Sequence, residues 1–372
     1  MRPQIAAYYF PNFHVDPLNE ARHGRGWTEW ELLRAAKPRF PGHLQPKIPA
    51  WGYEDEADPR VMAQKISAAR DAGLSAFLFD WYWYEEGEFL SRCLKEGFLR
   101  ADNCAELGFA LMWANHDWTD IHPAKRGGRE VQFRGTLKEE KFWEGLKRVV
   151  FSYMTQPNYW KLKGGKYFSF YDLGNLIATF GGREGAREAL TEFRKFAALE
   201  GAGELHLNAI VYEAPILPGE QARADLDELT AYLGFDSVGS YVWVHHHELS
   251  WQTTDYETLA TAAAGDYAEF RRKYRLPYLG NVTVGWDSSP RTVGTEGWEE
   301  VGYPYCPVVT GNTPERFGRA LERLCAEVEA DENGLGALTI NAWNEWTEGS
   351  ALEPDLAFGN GYLDAVRRVT KK

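Results

Sequence analysis

The chain has 372 residues, 44% hydrophobic and 26% charged, an ordinary globular composition at a length that one barrel of alternating strands and helices reaches. A formal net charge of −13, from 41 basic and 54 acidic residues, argues against a nucleic-acid partner, because phosphate binding needs clustered Lys and Arg. No apolar stretch is long enough for a membrane span, and an aromatic content of 15%, with 15 Trp and 19 Tyr, supplies flat rings both for a core and for stacking against sugars.

The N-terminal stretch MRPQIAAYYFPNFH carries an apolar run that Pro11 and His14 cut too short for a signal peptide, so a cytoplasmic location is expected. Short apolar runs then recur at about Ile5–Phe10, Leu74–Trp81, Gly108–Ala114, Tyr167–Tyr171, Leu205–Tyr212, Ser237–Val242, Tyr278–Val284 and Ala337–Trp343. Between them lie stretches of helical period such as VMAQKISAARDAG, which ends on Gly73, a residue suited to a helix C-cap. Strand and helix in alternation predict an α/β fold, a single (β/α)8 TIM-type barrel over residues 1–372 with long loops at its C-terminal face. Two connections exceed the usual few residues, at about Pro11–Asp58 and Trp286–Gly311, and long structured loops of this kind tend to carry function. Cys93, Cys104, Cys306 and Cys325 show no metal or disulfide spacing and are read as free thiols.

Active sites of such barrels lie where the strands end. In this chain the runs end on polar and aromatic residues: Tyr9; Asp80 and Trp81; Asn115 and Asp117; Tyr212 and Glu213; Trp286 and Asp287; Asn344 and Glu345. The last run leads into NAWNEWTEG, where Glu345 and Glu348 stand three apart among Trp343, Trp346 and Asn344. On one helical turn their Cβ atoms lie about 5–6 Å apart. Carboxyls that close, buried among rings, cannot both ionise freely, which yields one acid and one base. Glycoside hydrolysis uses such a pair, about 5–5.5 Å apart in retaining enzymes.

The stretches NAWNEWTEGSALEPD, WANHDWT, GWTEW, PGHLQPKIP and NVTVGWDSSPR occur in an order that resembles the WbsX-type, family 99-like glycoside hydrolase domain over essentially the whole chain. The segment Glu345–Gly349 is similar, more distantly, to the catalytic segment of the family 99 endo-α-mannosidases. The resemblance implies a retaining barrel glycosidase in which Glu345 acts as base on the sugar's own 2-hydroxyl. That hydroxyl forms an anhydro-sugar intermediate, and Glu348 serves as general acid. Thr347 departs from the His typical of those mannosidases, which alters recognition next to the acid.

Further substrate-binding roles are expected around the pair. Tyr9 and Tyr212 are placed to donate hydrogen bonds to the reacting hydroxyl or ring oxygen. Asp80, Trp81, Asn115 and Asp117 join carboxylate, amide and ring at strand ends, a set that grips adjacent hydroxyls while a ring stacks. Asp80, Asp117 or Glu213 is the conventional nucleophile if the 2-hydroxyl does not participate. His43, Gln45 and Trp286 belong to the two long loops and are read as sugar contacts, as are Asn344 and Trp346; Glu353 either meets a hydroxyl or ties down its loop. Asp287 and Arg291, four apart, are expected to pair and shape their loop. Three consecutive residues, His245 to His247, seldom converge on one ion, and neither Gly164-Gly165-Lys166 nor Gly181-Gly182 has a phosphate-loop form. No metal or cofactor is therefore expected, and the implied partner is an oligo- or polysaccharide. A glycosyltransferase of surface-polysaccharide assembly is the alternative reading.

Overall fold

The computed structural model describes residues 2–126, 130–217, 220–305 and 307–371. Cys306 lies outside the described residues; Cys93, Cys104 and Cys325 are free. Eight parallel strands close into a barrel: β1 (Gln4–Tyr9), β2 (Ala76–Tyr84), β3 (Gly108–Trp113), β4 (Gly165–Phe170), β5 (Leu205–Ile210), β6 (Ser237–Gly239), β7 (Tyr278–Thr283) and β8 (Ala337–Asn341). Each pairs with the next, and β1 pairs with both β2 and β8, so Ala6 stands between Ala76 and Thr339. The run expected to reach Val242 keeps strand pairing only through Gly239, and the chain then turns inward to deliver Tyr241 to the rim.

The outer layer is formed by α1 (Pro59–Ala72), α2 (Glu139–Arg148), α3 (Arg183–Leu199), α4 (Leu226–Leu233), α5 (Asp266–Lys273), α6 (Pro314–Ala330) and α7 (Gly361–Thr370). After β2 the return runs instead through the short turns Cys93–Gly97 and Phe98–Arg100. Local chemistry sets the ends of α1. The Asp58 carboxylate accepts the Arg60 N–H at 2.8 Å, Pro59 fits the first turn, and Gly73 closes the helix at φ 96, a left-handed conformation that its missing Cβ permits. Its inner face, Met62, Ile66, Ala69 and Ala72, is fully buried.

The Pro11–Asp58 connection, with little periodicity in sequence, folds into two short helices, Pro17–His23 and Trp30–Ala35. The second long connection holds the single turn Ser289–Arg291 and a short strand, Val308–Thr310, paired with Thr253–Asp255. Both cover the C-terminal mouth of the barrel. Among the described residues no helix is long and apolar enough to cross a membrane.

Beneath the mouth, α1 is tied to the end of the barrel by charge. Lys65 Nζ meets Glu56 Oε1 and Glu353 Oε1, each at 2.6 Å, with all three side chains buried. Glu56 Oε1 also accepts from Asn344 Nδ2 at 3.0 Å. Removing one member of a buried ion group strands the others without solvent. Lys65→Ala is expected to lower the free energy of unfolding in urea by about 3–5 kcal/mol; a loss below about 1 kcal/mol, the scale of an ordinary substitution, would mean that the two glutamates are neutral in the folded state.

Candidate active site

Strand alternation decides which rim residues face the barrel axis. Asp80 and Tyr82 of β2 point inward, and the turn after β8 brings Glu345 and, on the single helical turn Trp346–Glu348, Glu348 to the same place. Together with Phe10, Asp117, Trp118, His122, Tyr171, Tyr241, His245, Trp286 and Arg291 they line a pocket of about 660 Å³, partly open to solvent.

Arg291 lies at the centre of this pocket's charges. Its Nε donates to Glu29 Oε1 at 2.9 Å, Nη1 to Tyr303 Oη at 2.6 Å and to Glu348, and Nη2 stands 3.6 Å from Glu345 Oε2. The guanidinium is also 5.3 Å from the Phe10 ring centre. Glu29 comes from the GWTEW stretch of the first long loop and is held further by Asn12 and Thr347, which donate to its carboxylate. Burial opposes its charge, but Arg291, His122 and the Thr347 hydroxyl hold its pKa below the usual glutamate value. Thr347 is thus fully buried against Glu29, away from the pocket.

The two glutamates sit in contrasting surroundings. Burial pushes Glu345 well above its ordinary value of 4.5, the Glu348 charge adds to that, and Arg291 only partly offsets both. Glu348 is raised by burial too, but Arg291 and the Tyr303 hydroxyl, 2.9 Å away, act directly to favour its charge. Asp80 is raised well above its ordinary range, chiefly by burial. Tyr241 Oη lies 3.0 Å from both Asp80 Oδ2 and Glu345 Oε1. One hydroxyl has one proton to give; for both contacts to be hydrogen bonds, Asp80 or Glu345 must itself be protonated. The pocket therefore holds a shared proton on the Asp80–Tyr241–Glu345 side and a counter-charge on the Glu348 side.

Several expected contacts lie elsewhere. Tyr9 faces outward between the strands and α1, its hydroxyl on Met62 Sδ at 3.2 Å and its ring against Phe77 and Phe79; alternation gives the interior to Tyr8 instead. Trp81 likewise points out, donating to Glu88 at 2.9 Å, and Tyr82 takes the pocket position. Asn115 clamps the end of β4 by bonding both the N–H and the C=O of Asp172. Tyr212 stacks behind Tyr171 and faces Asp172.

The loop residues also act at one remove. His43 Nδ1 accepts the Arg39 N–H, which leaves Nε2–H to donate to Asp287 Oδ2 at 2.8 Å, and Gln45 donates to the same oxygen at 2.6 Å. Burial opposes the charge of Asp287, but these donors and Ser289 bring its pKa down to about 2. Asp287 is thereby turned away from Arg291, and the expected pair between them does not form. His43 and Gln45 pin the loop that carries Trp286 and Arg291.

Asn344 clips the chain of Phe10 through both its N–H and C=O. Trp346 donates to Glu353 at 2.7 Å, and Glu353 belongs to the Lys65 ion group below the pocket. Glu213 is exposed and paired with Lys273. The three histidines diverge: His245 faces the pocket, His246 meets Ser240, and His247 meets Asp266. Of the residues now found at the centre, Arg291 carried a sequence signal through its motif but was assigned to the wrong partner; Glu29 and Tyr241 stood in quoted segments without a role.

A family model described as Glycosyltransferase WbsX matches residues 5–366. The chain belongs to the WbsX family. Curated relatives from two strains of Xanthomonas campestris pv. campestris, each named Uncharacterized protein WxcX, are 29% identical over 98% of this chain. The match covers 49% of those proteins, so the chain spans about half their length.

Among solved structures, the GH99 endo-alpha-mannosidase from Bacteroides thetaiotaomicron is 14% identical, with a TM-score of 0.54 over 99% of this chain and 96% of that one. A protein titled glycoside hydrolase-like is 13% identical, with a TM-score of 0.58 over 99% and 94%. At these identities the likeness concerns the fold: this WbsX member has the barrel of a glycoside hydrolase.

The raised carboxyls have a thermodynamic signature. A carboxyl whose pKa is higher folded than unfolded makes the folded state bind more protons, so its burial costs stability progressively as pH rises above the unfolded value. Glu345→Gln removes that cost. Urea unfolding between about pH 4 and 7 is expected to show the variant gaining stability relative to the wild type as pH rises. A difference that does not change with pH would mean that Glu345 titrates normally.

Proposed function

We propose that this chain is a retaining glycoside hydrolase acting on an α-linked, mannoside-like glycan. The sugar's 2-hydroxyl is the nucleophile, Glu345 the base that takes its proton, and Glu348 the acid that protonates the leaving oxygen. The observation that carries this reading is the placement of Glu345 and Glu348 on one turn, both facing a single pocket at the C-terminal face and both touching one guanidinium. A participating hydroxyl also accounts for drawing both carboxyls from the same strand end, since the protein then supplies no nucleophile.

The two carboxyls differ in surroundings, but in the pocket as it stands their charges are the reverse of those the reaction needs. Attack by the 2-hydroxyl requires an ionised Glu345, and departure of the leaving group requires a protonated Glu348. In the resting pocket, Arg291 and Tyr303 favour charge on Glu348, whereas Glu345 shares a proton with Asp80 through Tyr241. The assigned roles therefore require that proton to pass from the Glu345 side to Glu348 once substrate is bound. Tyr303 and Tyr241 are the hydroxyls that follow the two carboxyls through this exchange.

The family's description favours a second reading, transfer of a sugar to a growing polysaccharide, and a mass-spectrometric screen separates the two. Wild-type protein is incubated with α-linked oligosaccharides and, separately, with nucleotide sugars plus acceptors. Cleavage of the former is expected; acceptor growth that requires the nucleotide sugar would establish the transferase instead.

The roles of the pair are read from leaving-group dependence. Glu348→Gln is expected to lose about 10²–10⁴-fold in rate on an oligosaccharide while keeping most of its rate on a dinitrophenyl glycoside, whose leaving group needs no proton. Glu345→Gln should lose both. The opposite pattern would exchange acid and base.

A further inference from the structure

The pocket's hydrogen-bonding groups, taken with its charges, describe the ligand that completes it. Among the described residues that line it, Arg291 is the sole permanent cation, and it is already committed to Glu29, Glu348 and, at longer range, Glu345. The basic side chains left are histidines kept neutral by burial: His122 and His245 are lowered to about 3, and His116 is lowered as well. Against them stand Asp80, Glu345 and Glu348 on the lining, with Glu29 directly behind Arg291, while Asp117 is already paired with Arg134 at 3.0 Å.

The unpartnered buried atoms on the same wall point the same way. Asp80 Oδ1 and Glu345 Oε2 have no hydrogen-bond donor, Trp118 Nε1–H has no acceptor, and both ring nitrogens of His122 are free of hydrogen bonds, although all four residues are at most 5% exposed. Buried polar groups of this kind are costly unless a partner supplies the missing bond. With one proton shared among Asp80, Tyr241 and Glu345, one of these two carboxyls is left to call for a donor, and a hydroxyl or an ammonium provides it. A carboxylate or phosphate cannot, and it would enter a water-poor space already richer in negative than positive groups, where like charges cost the most. His122 stacks on Trp118 at 5.0 Å between ring centres, 8° from parallel, with its Nε2 3.7 Å from Glu29 Oε2, so the two rings form one flat wall of the pocket.

We propose that the pocket selects its sugar by charge: it takes neutral and amine-bearing sugar rings and rejects uronates, phosphorylated sugars and the diphosphate of a nucleotide donor. The inference rests on reading this pocket as the sugar site. Asp80 is its specificity-determining residue, because it lines the pocket with one oxygen unpartnered and, among the described residues, with no cation paired to it.

Isothermal titration calorimetry on the wild-type chain tests this directly, with four probes at one neutral pH: methyl α-mannoside, its 6-uronate, the basic iminosugar 1-deoxymannojirimycin, and GDP. The iminosugar is expected to bind at least about 10-fold tighter than the neutral glycoside, and the uronate and GDP at least about 10-fold weaker, each step being about 1.4 kcal/mol. The Asp80→Asn variant, checked by its urea midpoint to be folded, should lose most of the iminosugar's advantage.

Binding of the uronate or of GDP as tightly as the neutral glycoside would overturn the proposal, as would failure of both the neutral and the basic probe to bind. The hydrolase reading fails separately, on absence of cleaved product in the mass spectra, because charge selection by calorimetry needs no turnover.

Discussion

The site depends on one buried guanidinium. Arg291 arrives on the loop after the seventh strand, Glu29 on the loop after the first, and Glu345 and Glu348 on the turn after the eighth. Each carboxyl is almost entirely removed from water, and none could remain charged there without a cation in contact. Arginine suits the task because its planar fork offers separate donors to separate partners, so Nε serves Glu29 while the two terminal nitrogens serve Tyr303, Glu348 and Glu345. Three loops far apart in sequence are thus locked to one another by charge rather than by apolar contact. Asp287, fixed by His43 and Gln45, keeps the loop of Arg291 in register without competing for it.

The arrangement gives chemically identical carboxyls different surroundings. Glu348 has the cation and a tyrosine hydroxyl, whereas Glu345 has a hydroxyl shared with a second buried carboxyl. Separation of pKa values by environment is the means by which a single fold holds an acid and a base at neutral pH. A pocket so furnished sits within a family described as a glycosyltransferase and on a barrel shared with glycoside hydrolases. Breaking and making a glycosidic bond place similar charge demands on the anomeric carbon, so the donor's leaving group, and whether the pocket has any cation to receive it, is the physical point that separates the two activities.

Much of the fold was legible in the chain. Each of the eight apolar runs became a barrel strand, because a buried parallel strand needs a nearly continuous apolar segment, and the cap residues Asp58 and Gly73 marked α1. The Glu345 and Glu348 pair was legible too, from two carboxyls and a ring-rich turn at a strand end. Legibility failed by one residue at three of the strand ends. Tyr9, Trp81 and Asn115 were natural candidates by position, yet Phe10, Tyr82 and His116 line the pocket. A period of two flips the side-chain direction with every residue, and an apolar run that is buried on both faces does not reveal its phase. The polar residues of the rim misled in another way: His43, Gln45, Asn344 and Glu353 are all engaged, but with the backbone or with other charges beneath the surface.

The sequence by itself determined the alternation of strands and helices, the closed barrel that follows from it, the end at which a site must lie, and the carboxyl pair. These depend on local periodicity and on composition within a few residues, which one chain displays in full. Only the tertiary structure decided which cation answers which carboxylate. Arg291 and Glu29 are separated by the greater part of the chain, and Asp80, Tyr241 and Glu345 come from three different strand ends. Such pairings are set by the closure of the barrel and the phase of each strand, because electrostatic partners buried together are chosen by distance in space, and no spacing along the sequence encodes that distance.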